Sequence, residues 1–240
     1  MQKIDIVITA WLRENMSRWC IEAIKKNTTT PYRLIVIDND SDRFTREFFL
    51  ENAHVYVKLD RNRGLEYAKW LGMQFVESDL FVSTDNDILV YKYDEKDWLQ
   101  RLIDLMNKYP EYGAIAPRPQ VLVGTSMEMF NTDKEIVDFG HVPGYARIMR
   151  TEWVREVGAW NDKRPLRGHE ELWIGEKFKD KGYKMAWAKD IECYHLFGDD
   201  EHDGWGYAKN ISPENHGHNE VSSLPKNDPK LIFKKTGIKI

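Results

Sequence analysis

Two carboxylates, Asp85 and Asp87, stand two positions apart where the apolar run from Leu80 to Thr84 stops. In an extended segment residues i and i+2 point to the same side, so the pair can face one ligand together. Oxygen donors on a short turn suit a hard divalent cation, Mg2+ or Mn2+, which keeps open positions for waters and phosphate oxygens. Asp and Asn are also common turn residues, so the Asp85-Asn86-Asp87 triplet taken alone reads more readily as a turn.

The elements that must position this pair follow in order. Ile4 to Thr9 is a short apolar run, read as a buried strand. Met16, Trp19, Cys20, Ala23 and Ile24 recur at helical spacing between Arg13 and Asn27. Thr28 to Pro31 is a loop. Tyr32 to Asp38 is a second strand that also ends on a carboxylate, and Asp40-Ser41-Asp42 can cap a short helix running to Leu50. His54 to Leu59 predicts a third strand and Asn62-Arg63-Gly64 a turn. Leu65 to Val76 predicts a helix with Leu65, Ala68, Leu71 and Phe75 inward. Leu80 to Thr84 is the fourth strand. This alternation with short connections implies an α/β fold with a mostly parallel sheet and right-handed crossovers. In such sheets ligands bind beyond the carboxyl ends of the strands. Thr9-Ala10, Asp38 and Asp85-Asn86-Asp87 all fall at such ends, so topology brings them to one edge.

Past Asp87, Asp94 to Tyr109 reads as an amphipathic helix with Asp94 as its cap and Pro110 as its stop. Ala114 to Ala116 is a short strand, Gln120 to His141 is irregular, and Gly144 to Met149 is a strand. Thr151 caps a helix over Glu152 to Val157, which Gly158 ends. Glu170 to Lys181 is a helix, and Tyr183 to Ala188 and Ile191 to Leu196 are two strands. Gly198 to Asn219 is rich in Gly, Asp, His and Asn without periodicity and reads as a mobile loop or lid, with His202, His216 and His218 as loop residues. Leu231 to Ile240 reads as a docking tail.

A chain of 240 residues holds one large domain, or one domain with a tail. With 42% hydrophobic and 31% charged residues it has an ordinary globular composition. Net charge −4 and a pI of about 6.0 leave no electrostatic case for nucleic acid. Cys20 and Cys193 form neither a disulfide framework nor a metal-ligand spacing. The N-terminus runs into a strand without a signal-peptide apolar region, and no stretch approaches the roughly 18 apolar residues of a transmembrane segment. These features predict a cytoplasmic protein.

The order of motifs resembles the family 2 type of GT-A fold glycosyltransferases. A strand ends in Thr9-Ala10, and another ends in Ile37-Asp38-Asn39-Asp40-Ser41-Asp42. Asn62-Arg63-Gly64 follows with Ala68 and Gly72, then Asp85-Asn86-Asp87. Glu170-Glu171-Leu172-Trp173, Gly182-Tyr183-Lys184 and Tyr194-His195-Leu196 close the series. The resemblance covers Ile4 to Leu196. Three positions depart from the pattern: Asp40 stands where the family usually has Gly, Glu171 where it usually has Asp, and Trp173 where a second acid occurs.

The resemblance implies a single Rossmann-like GT-A domain over residues 1–197. Residues 1–90 would be its nucleotide-sugar half, 91–197 its acceptor and catalytic half with a small acceptor-side extension, and 198–240 a mobile loop and tail. It implies a nucleoside-diphosphate sugar donor of UDP, GDP or dTDP type, and a glycan, lipid-linked or other hydroxyl acceptor. A lipid acceptor is compatible with peripheral membrane attachment. Asp85 and Asp87 would hold Mn2+ or Mg2+ on the donor diphosphate, with His195 as a third ligand; the alternative for His195 is a structural histidine. Thr9 and Ala10 would meet the nucleoside, Asp38 would accept from a base imide or amino group or else cap a turn, and Asn62, Gly64 and Asn86 belong to the same donor-binding set. Arg13, Arg61 and Arg63 are candidates for the diphosphate or base edge, because the guanidinium is a planar donor fork. Glu171, with Glu170 beside it, would be the general base of an inverting transfer, held ionised early in a helix; first helical turns also carry acids for stability alone. Trp173 would form an acceptor wall or part of the core. A retaining enzyme would share the Asp-x-Asp and the His. Two other classes fit the scaffold. A nucleotidyltransferase usually opens on a Gly-rich phosphate loop, which Thr9 to Arg13 lacks; a non-catalytic sugar-nucleotide or carbohydrate-binding protein has no need of a base.

Overall fold

A computed structural model describes residues 3–41, 43–120, 126–161, 170–196 and 227–240. The capping role of Asp42 and the Gly198 to Asn219 segment with His202, His216 and His218 lie outside the described residues. Strands β1 (Ile4–Ala10), β2 (Tyr32–Asp38), β3 (Val55–Lys58) and β4 (Leu80–Asp85) pair in parallel in the order β3-β2-β1-β4. Their near-continuous apolar sequences are those of strands covered on both faces. Ile6, Ile8 and Ala10 join one core with α1 (Glu14–Asn27) and α2 (Arg43–Asn52), while Val7 joins the other with α3 (Leu65–Met73). A Cβ on Gly72 would lie 2.6 Å from Val7 Cγ1. The Ala68–Gly72 spacing is therefore a packing device that lets α3 sit close on β1 and β2.

The second half mixes strand directions. β8 (Arg147–Arg150) runs antiparallel to β4, and β6 (Tyr112–Pro119) antiparallel to β8. β9 (Lys184–His195) runs parallel to β6, and β5 (Ile88–Val90) and β7 (Ile136–Asp138) pair with β9 antiparallel. The sheet is thus mixed, parallel across β3-β2-β1-β4 and of both directions beyond it. Its order is β3-β2-β1-β4-β8-β6-β9-β5 among the described residues. Helices α4 (Trp98–Lys108), α5 (Thr151–Glu156) and α6 (Glu170–Asp180) cover it, and α7 (Pro229–Thr236) closes the β5 edge. Asn27 Nδ2 donates to Val90 O and Thr236 O, and Lys92 N donates to Lys235 O. An otherwise open strand edge is thereby protected.

Several local expectations change. Asp97, not Asp94, caps α4; its carboxylate accepts from Gln100 N and also binds Thr29 and Thr30. Thr151 begins α5 rather than capping it, and its hydroxyl donates to Ser78 O at 2.6 Å. The two late strands are one strand through Lys189-Asp190. β5 lies in a stretch to which the sequence assigns no element, and β7 and a 3-10 turn at Met127–Phe130 fall in the stretch expected to be irregular. The buried face of α3 is Glu66, Ala68, Lys69, Gly72 and Met73, with Leu65, Leu71 and Phe75 only half-buried.

Candidate functional site at the strand carboxyl ends

Register places Thr9 opposite Asp85 and Ala10 opposite Asp38, so the ends of β4, β1 and β2 lie side by side. The Thr9 hydroxyl is buried without a hydrogen-bond partner. Ala10 O accepts from Asn39 N at 2.7 Å. Asp38 is fully buried, with Oδ1 accepting from Ser41 N and Oδ2 from Tyr56 OH, each at 2.7 Å. Both of its oxygens hold the β2 turn and strand β3 in place. Asn39, which sequence reasoning passed over, clamps the next loop: its Nδ2 donates to Asn62 Oδ1 at 2.7 Å and its Oδ1 accepts from Arg63 N at 2.8 Å. Gly64 opens α3 at φ 91°, where only glycine is comfortable. Arg61 is exposed, and Arg63 is held by Asp60 and lies over Tyr67.

Arg13 comes to the site through an unusual backbone. Leu12 and Arg13 both have left-handed φ, 54° and 57°, a conformation that non-glycine residues keep only when the surroundings over-determine it. Here Leu12 N donates to the Ser41 hydroxyl at 2.9 Å, and Asn86 Nδ2 bonds Ser17 Oγ and Leu12 O. The turn aims the Arg13 guanidinium at Asp87 Oδ2, 2.5 Å away, and His195 Nε2 lies 3.5 Å from the same oxygen. Burial works against charge on Asp87, but the His195 imidazole and the Arg13 guanidinium outweigh it and bring its pKa to about 2. Asp85 differs: burial, together with the charges of Asp87 and Glu170, raises its pKa against the pull of Lys69.

Asp85 sits against backbone. A Cβ on Gly144 would lie 2.7 Å from Asp85 Oδ2, and Asp85 N donates to Gly144 O. Lys69 Nζ, itself fully buried, stands 3.2 Å from Asp85 Oδ1 and 2.5 Å from Glu170 Oε1. Glu170 also receives Arg147 Nη2 on both oxygens at 2.9 Å and Trp160 Nε1 at 3.0 Å. Burial opposes its charge, yet Arg147 and Lys69 hold its pKa at about 2. A carboxylate so engaged is an anchor. Glu171, next on α6, is half-exposed. Tyr145 links the parts: its ring lies 4.9 Å from His195, and burial, then the charges of Asp87, Cys193, Asp85 and Glu171, push its phenol upward. Lys69, Arg147 and Tyr145 were not singled out in the sequence, although a lysine flanked by Ala68 and Gly72 on a helix face is a detectable signal.

The donor chemistry can be weighed against a cation. Among the described residues no three His, Cys, Asp or Glu side chains gather as a metal-binding cluster. Oδ1 of Asp87 is nonetheless buried and accepts no hydrogen bond, and the buried Oδ1 of Asp85 faces the Lys69 ammonium at 3.2 Å; carboxylate lone pairs left open in this way suit a hard cation.

Residues 5–158 match the profile of the family described as Glycosyl transferase family 2. The chain belongs to that family. The match spans Thr9, Asp38, Asp85 and Asp87 and ends before Glu170, Glu171 and His195. This family 2 chain is 26% identical over 148 residues to a teichoic acid poly(glycerol phosphate) polymerase of Staphylococcus epidermidis, covering 58% of the chain and 20% of that protein. It is 25% identical over 119 residues to a glucosyl-dolichyl phosphate glucuronosyltransferase of Haloferax volcanii, covering 47% and 37%. It therefore spans well under half the length of either curated relative. Among solved structures it resembles GalNAc-T7 with UDP, GalNAc and Mn2+, with TM-score 0.66 and 15% identity over 97% of the chain and 53% of that one. It also resembles Staphylococcus aureus TarS 1-349, with TM-score 0.60 and 14% identity over 81% and 60%. These likenesses carry the fold: the mixed α/β architecture is that of GT-A glycosyltransferases.

Proposed function

We propose that the chain transfers a sugar from a nucleoside-diphosphate sugar of UDP, GDP or dTDP type to a hydroxyl of a glycan, lipid-linked or other acceptor. The observation that carries the reading is the pair of buried carboxylate oxygens where β4 ends, Asp87 Oδ1 without a hydrogen bond and Asp85 Oδ1 facing Lys69, beside Thr9. Asp85, Asp87 and His195 would hold Mn2+ or Mg2+. Such a cation, when bound, neutralises charge developing on the departing diphosphate. Arg13, released from Asp87, offers its donor fork to the phosphates, and Thr9, Ala10, Asn62 and Gly64 frame the nucleoside. Asp38 fixes the turn beneath the base. Glu171 takes the proton of the attacking acceptor hydroxyl, and the anomeric centre inverts; Glu170 is held by Lys69 and Arg147 and leaves this work to its neighbour.

The relatives support the donor and acceptor classes. One neighbour was solved with UDP and Mn2+, and one relative is named for a dolichyl phosphate substrate. The test is nucleoside-diphosphate release from UDP-, GDP- and dTDP-sugars with Mn2+, with the anomeric configuration of the product read by NMR. Release that Asp87→Ala abolishes is expected. Donor binding without release would favour the binding-protein reading, and a retained anomeric configuration would overturn inversion.

A further inference from the structure

Helix α7 carries an outward face that combines lysines with an exposed aromatic ring. Lys230, Phe233 and Lys234 fall at i, i+3 and i+4, and so share one side, while Ile232 and Thr236 are fully buried on the other. Phe233 is 50% exposed, one of few large apolar side chains left to solvent among the described residues. Lys239 Nζ stands 5.9 Å from its ring, and Lys26 joins the helix end by donating to Gly237 O at 2.7 Å. Residues 227–240 hold four lysines and one aspartate in a chain of net charge −4. That aspartate, Asp228, is engaged in capping α7 through Lys230 N and Leu231 N.

We propose that this face of α7 docks on an anionic phospholipid surface. Lysines around an exposed aromatic ring match a bilayer interface: the ring enters the headgroup region, the aliphatic lysine stems lie along it, and the ammonium groups meet lipid phosphates and carboxylates. Residues 227–240 carry no arginine, which disfavours nucleic acid, whose recognition relies on bidentate contacts. The proposal concerns recruitment alone and stands whether or not sugar transfer is the reaction.

Co-sedimentation of the full chain with phosphatidylcholine vesicles, with and without phosphatidylserine, tests it. Binding is expected only with phosphatidylserine and is expected to weaken with added salt. Each neutralised lysine should lower partitioning about fivefold, so the triple variant K230Q/K234Q/K239Q should lose on the order of a hundredfold. A variant on and just after α6, K177Q/K179Q/K181Q, removes the same number of charges, should bind as the parent does and controls for net charge. Far-ultraviolet circular dichroism of each variant shows that it is folded. No binding by the parent chain, equal binding to neutral vesicles, or equal loss in the α6 variant would overturn the proposal. Retention on heparin or duplex DNA without vesicle binding would also overturn it.

Discussion

Lys69 and Glu170, 101 residues apart, meet at 2.5 Å with both side chains closed to water. The same ammonium stands 3.2 Å from Asp85. One lysine on α3 thus ties the turn after β4 to the first residue of α6, and with it the position of Glu171. Glu170→Ala leaves Lys69 and Arg147 facing each other without their shared anion. Breaking a buried pair in this way costs about 3–5 kcal/mol. Urea unfolding should show a loss of that size, and an unchanged midpoint would contradict the anchor role.

Glu171→Gln should behave differently. Its half-exposed side chain is not part of the buried network, so the unfolding midpoint and donor affinity should stay close to those of the parent. Turnover should fall by roughly 10²- to 10⁴-fold, the usual contribution of a positioned base. Full activity in this variant would remove Glu171 from the base role.

Much of this was legible in the residues themselves. Four runs, Ile4 to Thr9, Tyr32 to Asp38, His54 to Leu59 and Leu80 to Thr84, led to the parallel half of the sheet, because strands buried on both faces are written as continuous apolar sequence. Asp85 and Asp38 at strand ends then located the edge of the site. The second half was harder. β5 has only three residues and follows the Asp-Asn-Asp turn directly, so period and length gave no strand signal. Lys69 and Glu66 turn inward on α3, where a helix is normally read by its apolar face; the resulting network is a tertiary fact about partners 78 and 101 residues away, Arg147 and Glu170. Asp38 was offered a nucleobase or a turn. The structure gives both of its oxygens to Ser41 and Tyr56, because the chain after β2 must close back on β3.

Gly144→Ala should separate packing from binding. The added methyl meets the Asp85 carboxylate, and overpacking of this kind costs about 1–3 kcal/mol. The variant should also lose nucleotide affinity in isothermal titration in the presence of Mn2+, because Asp85 must move. Parent-like nucleotide affinity would show that Asp85 takes no part in donor binding.

Asp5 governs acid stability at the far end of the sheet. Burial raises its pKa, but Arg33 and the backbone N–H groups of Glu77 and Ser78 outweigh this and leave the folded value below the ordinary 3.8. A depressed folded pKa contributes stability that is complete above the unfolded value and disappears as pH falls through the folded one. Stability should therefore drop as pH descends from about 5, and Asp5→Asn should flatten that slope while lowering stability at neutral pH. Identical acid profiles for the parent and the variant would rule out the contribution.

The thermal midpoint of the chain with UDP, GDP and dTDP, each with and without Mn2+, bears most directly on the strand-end site. A ligand that binds only the folded state at a hundredfold excess over Kd stabilises it by roughly 2.7 kcal/mol, a shift of several degrees. At least one nucleoside diphosphate should raise the midpoint only when Mn2+ is present, and Asp87→Ala should abolish the rise. No shift with any of the three, or a shift that ignores both Mn2+ and the loss of Asp87, would contradict the assignment of Asp85 and Asp87 as the grip on a donor diphosphate.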